Sequence, residues 1–186
     1  MRITGGIGKG RKLRVPTGDE VRPTSDKVKQ ALFNILGDLV TGAVFLDLYA
    51  GAGSVGLEAL SRGADRAVFV DSSRESLQAI KVNIDQLGFN DRAQIVDSKA
   101  RAYLGRKSGP FDLVFMDPPY ADELQPLLDL IGKAGILKPD AVVIAEHVKK
   151  QSSPERAGML TLYRVARYGD TVLAFYRPGD TPEESV

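Results

Sequence analysis

Asp117-Pro-Pro-Tyr120 is the part of this 186-residue sequence best equipped for chemistry. The two prolines have fixed φ, which holds Asp117 and the Pro118 carbonyl in place as hydrogen-bond acceptors, and Tyr120 supplies a ring face for stacking. Such a set could orient a hydrogen-bond donor and accept its hydrogens as charge develops. A second constellation, Gly51-Ala-Gly-Ser-Val-Gly56, fits G-x-G-x-x-G, with Asp71 20 residues after Gly51 as in a dinucleotide fingerprint. Asp47, just before the loop, would repel a pyrophosphate seated on a helix N-terminus. It suits a ligand with a cationic end. S-adenosylmethionine, with its amino group and sulfonium, is such a ligand: Asp71 could accept from its ribose hydroxyls, Asp97 and Ser98 could bond the adenine edge, and the glycines let the backbone approach.

The elements that must hold these residues follow from periodicity. Thr24 or Ser25 caps a helix with Val28, Ala31, Leu32, Ile35 and Leu36 on one face and Gly37 at its end. Val44 to Tyr49 reads as a strand running into the glycine loop and a helix that stops at Gly63. The unit repeats with strand Ala67–Asp71, a Ser72 or Ser73 cap, and a helix carrying Leu77, Ile80, Ile84 and Leu87 before Gly88. Ala93–Asp97 is a third strand, Lys99 to Leu104 a short helix, and Phe111–Asp117 a fourth strand that ends at the prolines. A helix with Leu124, Leu127, Leu128 and Ile131 leads to a fifth strand, Ala141–Ala145, whose unbroken apolar run suits burial on both faces. Strands around Leu160–Ala166 and Thr171–Tyr176 flank the turn Tyr168-Gly-Asp170 and form a hairpin. The expectation is an α/β Rossmann-like, mostly parallel sheet with right-handed crossovers and a terminal antiparallel hairpin at one edge. Asp47, Asp71, Asp97 and Asp117 would then border one rim, the carboxyl ends of the strands, where such sheets bind ligands. A helix or turn cap accounts for any one of these aspartates, but not for four of them together with the loop and the double proline.

Composition sets the outer limits. With 43% hydrophobic and 26% charged residues the chain forms one sizeable core. No Cys and one His, His147, exclude disulfides and the usual zinc, iron–sulfur and Cys–His chemistries, so no metal is expected. The start has no apolar h-region and no run is long enough for a membrane span, so a cytoplasmic location is expected. The net charge of +1 conceals an asymmetry: residues 1–30 hold eight Lys or Arg against three acidic residues, a net of +5. Such an arm suits a polyanion, because each cation that meets a phosphate releases condensed counterions. The expected layout is a basic arm over 1–23, a catalytic domain over 24–178 and a flexible tail over 179–186.

Several blocks resemble a known family: Arg2-Ile-Thr-Gly-Gly6 with Lys9-Gly-Arg-Lys-Leu13, Arg22-Pro-Thr24 with Asp26-Lys-Val-Lys29 and Ala31-Leu-Phe-Asn34, Leu46-Asp-Leu-Tyr-Ala-Gly-Ala-Gly53 with Gly56 to Gly63, Phe69-Val-Asp71, and Tyr168-Gly-Asp-Thr171. The tetrapeptide at Asp117 is similar to that of methyltransferases acting on planar exocyclic amines. Together the blocks, spanning all but the tail, resemble the bacterial RsmD family of small-subunit ribosomal RNA guanine 2-amino methyltransferases. The resemblance implies a Rossmann-like enzyme that uses S-adenosylmethionine to methylate the 2-amino group of one guanine in 16S ribosomal RNA, free or in the assembled 30S subunit. It implies Asp117, Pro118, Pro119 and Tyr120 at the target amine, and Asp47, Gly51, Gly53 and Asp71 on the cofactor, with which Tyr49 is grouped. The basic block, with Arg2, Lys9, Arg11, Lys12, Arg14, Arg22, Thr24 and Lys27, would meet RNA. The chain departs from the family at Tyr49, where Phe is common, at Ala52, where Ser is common, at Lys27 and Lys29, where Arg is usual, and at Gln30, where Glu is usual. The Arg-to-Lys changes forgo bidentate phosphate geometry.

Three other readings compete. A DNA adenine amino-methyltransferase would use the same tetrapeptide, but the chain has no evident additional DNA-reading domain. A nicotinamide oxidoreductase would rest on the glycine loop, and a catalytically silent RNA-binding assembly factor on the arm. A monomer is the default with so large an RNA partner. Asn83, Glu146 and His147 are expected to pack or cap rather than catalyse, Arg62 and Arg66 to form a solvated edge, and Phe33 and Phe45 to lie in the core.

Overall fold

The computed structural model describes residues 1–16, 24–106, 108–119 and 122–179. Eight strands form one sheet: β1 (Val44–Leu48), β2 (Arg66–Asp71), β3 (Ala93–Asp97), β4 (Phe111–Met116), β5 (Leu137–Val148), β6 (Arg156–Ala157), β7 (Leu160–Tyr168) and β8 (Thr171–Pro178). Their order is β3-β2-β1-β4-β5-β8-β7-β6. The first five pair in parallel and the last three antiparallel. Among the described residues five α-helices accompany them: α1 (Asp26–Leu36), α2 (Ser54–Ser61), α3 (Arg74–Leu87), α4 (Ala100–Leu104) and α5 (Leu124–Lys133). The expected alternation is therefore present.

β1, β2, β4 and β5 are covered on both faces, whereas the edge strand β3 is only partly buried. Phe45, Phe69 and Phe115 point into one core with Leu32 and Phe33 of α1, Leu57 and Leu60 of α2, and Ile80 and Ile84 of α3. Their neighbours Leu46, Val70, Val114 and Met116 point into a second core with Tyr103 of α4 and Leu124, Leu128 and Ile131 of α5. This two-sided burial is why these strands read as continuous apolar runs. The local stops are those expected from the chain. Ser25 caps α1 by accepting from the Val28 amide at 3.2 Å, Ser73 caps α3 by accepting from Ser76, and Gly88 ends α3 at φ 72°.

Two details differ from the expectation and two add to it. β5 runs well beyond Ala141–Ala145, because Leu137 pairs with Phe111 and the other end follows β8 as far as Val148 opposite Thr171. Pro139 falls within the register shift of β4 against β5, where no ladder bond is required of it. The later hairpin strand, β8, lies inside against β5, so β7 sits outside it and is followed by the short β6. On α3, Leu77 and Leu87 are only half-buried, while Asn83 lies in the buried stripe with Ala79, Ile80 and Ile84.

The first sixteen residues are packed against the domain. Ile3 and Leu13 are buried in the first core, and Ile3 exchanges backbone hydrogen bonds with Arg11 and Gly10. The Thr4 amide and hydroxyl both donate to the Glu58 carboxylate of α2 at 2.8 Å, and the Gly8 amide donates to Ser61 Oγ at 2.8 Å. Gly6 has φ 72° and lies so close to the Ser61 carbonyl that a Cβ would overlap it, which explains a glycine there.

Candidate active site at the carboxyl ends of the strands

The chain order reverses between β1 and β4, and there the adjacent strand ends leave a crevice for a ligand. β1 delivers Asp47 and Tyr49, β2 Asp71, β3 Asp97 and Ser98, β4 Asp117 to Pro119, and β5 Glu146. The four aspartates read from sequence thus share one rim, and a fifth carboxylate, Glu146, joins them.

Asp47 is 2% exposed, and its Oδ2 accepts the Gly56 amide at 2.8 Å in the first turn of α2. It lies beneath the loop rather than on its open surface. Burial pushes its carboxyl up to about 8; the Gly56 hydrogen bond opposes this and the neighbouring Asp71 adds to it. Gly56 is required at this spot, because a Cβ would run into the Phe69 ring and come within 3.1 Å of Asp47 Oδ2. The loop itself turns through left-handed backbone at Tyr49 (φ 59°), Gly51 (φ 55°) and Gly53 (φ 73°). Tyr49 is the only non-glycine residue with positive φ among the described residues, a conformation that costs about 1–3 kcal/mol and persists where the surroundings enforce it. Its hydroxyl donates to Asp122 Oδ2 at 3.4 Å, and burial raises its pKa to about 12.

Asp71 ties the first two loops together. One carboxylate oxygen accepts the Gly51 amide and the other the Ser73 amide, both at 2.8 Å. Each oxygen retains a lone pair for a ligand hydroxyl. Asp97 pairs in register with Asp71 and is exposed, whereas Ser98 is buried, its amide donating to the Asp71 carbonyl and its hydroxyl to the Lys99 carbonyl.

Asp117 is half-buried, Pro118 buried and Pro119 exposed. Burial, then the charges of Glu146 and Asp47, push the Asp117 carboxyl well above the usual range. The Asp122 amide donates to the Pro119 carbonyl at 2.8 Å and the Asp122 carbonyl accepts from Gln151 Nε2 at 3.0 Å, so Tyr49 and Gln151 both hold Asp122. Tyr120 lies outside the described residues.

Among the residues assigned to RNA, Arg2, Lys9, Arg11, Lys12, Arg14 and Lys27 are exposed, and Arg22 lies outside the described residues. Arg2 pairs with Asp26 at 3.4 Å and Arg11 donates to the Gln86 carbonyl, which fixes these two in place. Thr24 sits elsewhere: it is buried, and its hydroxyl donates to Glu146 Oε2 at 2.8 Å inside the rim. Lys29, counted in the arm's charge, is fully buried with Nζ on the Arg2 carbonyl at 2.6 Å and Glu58 at 3.6 Å. Its ammonium pKa is lowered by burial, against the opposing pull of Glu58 and Asp26.

Three residues matter more than their sequence context shows. Asn83 is fully buried: Oδ1 accepts the Arg14 amide at 2.7 Å, while Nδ2 donates to the Arg14 and Ala52 carbonyls at 2.9 and 3.0 Å. It joins the arm to the glycine loop, and the available signal was an amide in the apolar stripe of α3. Arg62, expected at a solvated edge, donates to Glu58 at 2.7 Å and lies over the Phe33 ring. Glu146 reaches the rim because β5 is longer than its apolar run. His147 is satisfied as expected, its two ring nitrogens on the Val148 carbonyl and Ser153 Oγ.

The donor set fits a cationic ligand. Two carboxyl groups at one rim have their ionised forms disfavoured by burial and by neighbouring carboxylates, Asp71 for Asp47 and Glu146 and Asp47 for Asp117, a penalty that a positive charge nearby offsets.

Residues 1–177 match the family model described as Conserved hypothetical protein 95. The chain is 38% identical over 181 residues to a Bacillus subtilis (strain 168) protein named "Putative rRNA methyltransferase YlbH", covering 95% of this chain and 98% of that one. It is 34% identical over 178 residues to "Ribosomal RNA small subunit methyltransferase D" of Escherichia coli (strain K12), covering 95% and 89%. Among solved structures, "Putative methyltransferase yhhF from Escherichia coli" superposes with a TM-score of 0.87 at 33% identity, covering 96% of this chain and 98% of that one.

Proposed function

The chain belongs to the Conserved hypothetical protein 95 family, that of the ribosomal RNA small subunit methyltransferases D, and from that premise we propose that it transfers a methyl group from S-adenosylmethionine to the 2-amino group of a guanine in 16S ribosomal RNA. The observation that carries this reading is the convergence of Asp47, Asp71 and Asp117 at the β1–β4 switch point, with the ionised forms of Asp47 and Asp117 penalised until a cation arrives. That combination also favours a sulfonium ligand over a nicotinamide dinucleotide, whose pyrophosphate the rim would repel.

When bound, S-adenosylmethionine supplies a methyl group made electrophilic by its sulfonium. Asp71 accepts hydrogen bonds from ribose hydroxyls on lone pairs left free by the Gly51 and Ser73 amides. Asp47 acts from beneath the loop as a charge that favours the cationic end, while fixing the α2 N-terminus through Gly56. Asp97 and Ser98 border the adenine. Asp117 and the Pro118 carbonyl accept the hydrogens of the target amine, orienting the nitrogen lone pair and stabilising the charge that develops on it. Tyr120 is the sequence's candidate for stacking on the presented base. After transfer the surplus amine proton passes to the Asp117 carboxylate and on to solvent. The exposed cations of the arm hold the RNA phosphates.

The test is transfer of a radiolabelled methyl group from S-adenosylmethionine into small subunits from cells lacking this protein, with naked 16S RNA in parallel and nuclease digestion to identify the base. The expected result is label on one guanine, lost at least about 100-fold with Asp117→Ala while cofactor binding is retained. Label on adenine, or transfer unaffected by Asp117→Ala, would overturn the reading.

A further inference from the structure

The sequence's charge has a second concentration, on the opposite flank from the arm. Residues 149–178 contain Lys149, Lys150, Arg156, Arg164, Arg167 and Arg177 against Glu155 and Asp170, a net of +4, whereas residues 31–148 between the two flanks hold 11 basic and 16 acidic residues, a net of −5. Part of this charge lines a groove of about 420 Å³ formed by the loop after β5 and by β7 and β8. Its charged lining is Lys149, Lys150, Glu155 and Arg167, and its apolar wall is Leu162, Val165 and Val172. Lys149 is ion-paired with Asp170 at the hairpin turn. Lys150 and Arg167 are exposed and have no ion-pair partner among the described residues.

The groove adjoins the candidate active site. Gln151, on its wall, donates Nε2 to the Asp122 carbonyl, and Asp122 in turn donates its amide to the Pro119 carbonyl. His147, also on the wall, follows Glu146 of the carboxylate rim. A chain of two hydrogen bonds therefore separates the groove from the prolines.

We propose that this groove is a second RNA-contact surface, which holds a sugar–phosphate segment next to the target nucleotide, with Lys150 and Arg167 on phosphates and Leu162, Val165 and Val172 against a base or ribose. The inference rests on the RNA-methyltransferase reading and adds to it a partner surface that the arm does not supply. Two separated unpaired cations over an apolar wall match the alternation of charge and flat apolar surface along a nucleic-acid strand. The volume is of the size that accommodates a small ligand such as a nucleotide. With the arm on one flank and this groove on the other, the RNA is gripped on both sides of an acidic centre that would otherwise repel it.

The test compares the unaltered protein with Lys150→Gln/Arg167→Gln, using filter binding of naked 16S RNA and of small subunits over a salt series, together with S-adenosylmethionine affinity and methyl transfer. The double variant is expected to bind naked RNA roughly tenfold more weakly, with a log K against log salt slope shallower by about 1 per residue, a raised KM for RNA, and unaltered cofactor affinity. Equal RNA affinity and slope would overturn the proposal. Weakened binding seen only with assembled subunits would also overturn it, by assigning the groove to a ribosomal protein. If the unaltered protein binds RNA but transfers no methyl group, the enzymatic reading fails while the binding comparison still decides the groove.

Discussion

Asp47 couples the site's chemistry to the stability of the protein. Its carboxyl is held up at about 8 in the folded state against an ordinary 3.8, so the folded chain retains a proton that the unfolded chain releases. Its stabilising contribution is therefore present below about pH 4 and is lost progressively as pH rises to about 8. Asp47→Asn, which can still accept from Gly56, removes this dependence. Its melting temperature is expected to exceed that of the unaltered protein by an increasing margin from pH 4 to 8, reaching about 3 °C or more, with little further change above. Scanning calorimetry across that range checks this, and a constant or inverted margin would count against it. The same substitution is expected to weaken S-adenosylmethionine binding, because the field of the carboxylate is lost. In the unaltered protein cofactor binding near pH 7 should release protons, detectable by calorimetry in buffers of different ionisation enthalpy.

Elements are joined here by single buried polar side chains. Asn83 on α3 ties the arm at Arg14 to the glycine loop at Ala52, and Glu58 on α2 gathers Thr4, Lys29 and Arg62. Asn83→Ala leaves an amide and two carbonyls without their partner and costs about 2–3 kcal/mol. The Arg14 amide should exchange its hydrogen faster in this variant, while amides in the middle of β4 change little at matched stability. Uniform acceleration across the chain would show that Asn83 supports the fold generally rather than fastening the arm. The pattern of helix caps and strand runs was legible, because each depends on a few neighbouring residues: Ser25 and Ser73 start helices and Gly88 ends one where their local chemistry requires. The full span of β5 was not, since its outer residues are ordered by pairing with Phe111 and Thr171, residues far away in sequence.

At the scale of the whole molecule the charge along the sequence runs basic, acidic, basic and, over the last eight residues, acidic again, and the exposed cations of the arm are positioned by a packed core rather than left on a loose tail. Such a pattern steers a polyanion toward the flanks and reserves the centre for a cationic ligand. Lys9→Gln/Lys12→Gln, both at exposed positions, should flatten the salt dependence of RNA binding by about 1 per residue and leave S-adenosylmethionine affinity unchanged. An unaltered slope in a filter-binding series would remove these two lysines from the RNA surface. Lys29, of the same charge, is not interchangeable with them: it is buried on Glu58, and replacing it is expected to unfold the junction of arm and helices instead of tuning affinity.

The sequence by itself determined the class of fold, the loop that turns on Gly51 and Gly53, and the presence of aspartates at the strand ends, because periodicity, caps and strand-ending prolines are properties of neighbouring residues. Tertiary structure alone decided which charges remain available. It buried Lys29 and Thr24, lifted the carboxyl groups of Asp47 and Asp117, brought Glu146 to the rim, and set Lys150 and Arg167 across a groove beside the prolines. The reason is that burial and the field from distant residues depend on which surfaces meet, and strand order makes neighbours of β1 and β4 although more than sixty residues of chain separate their starts.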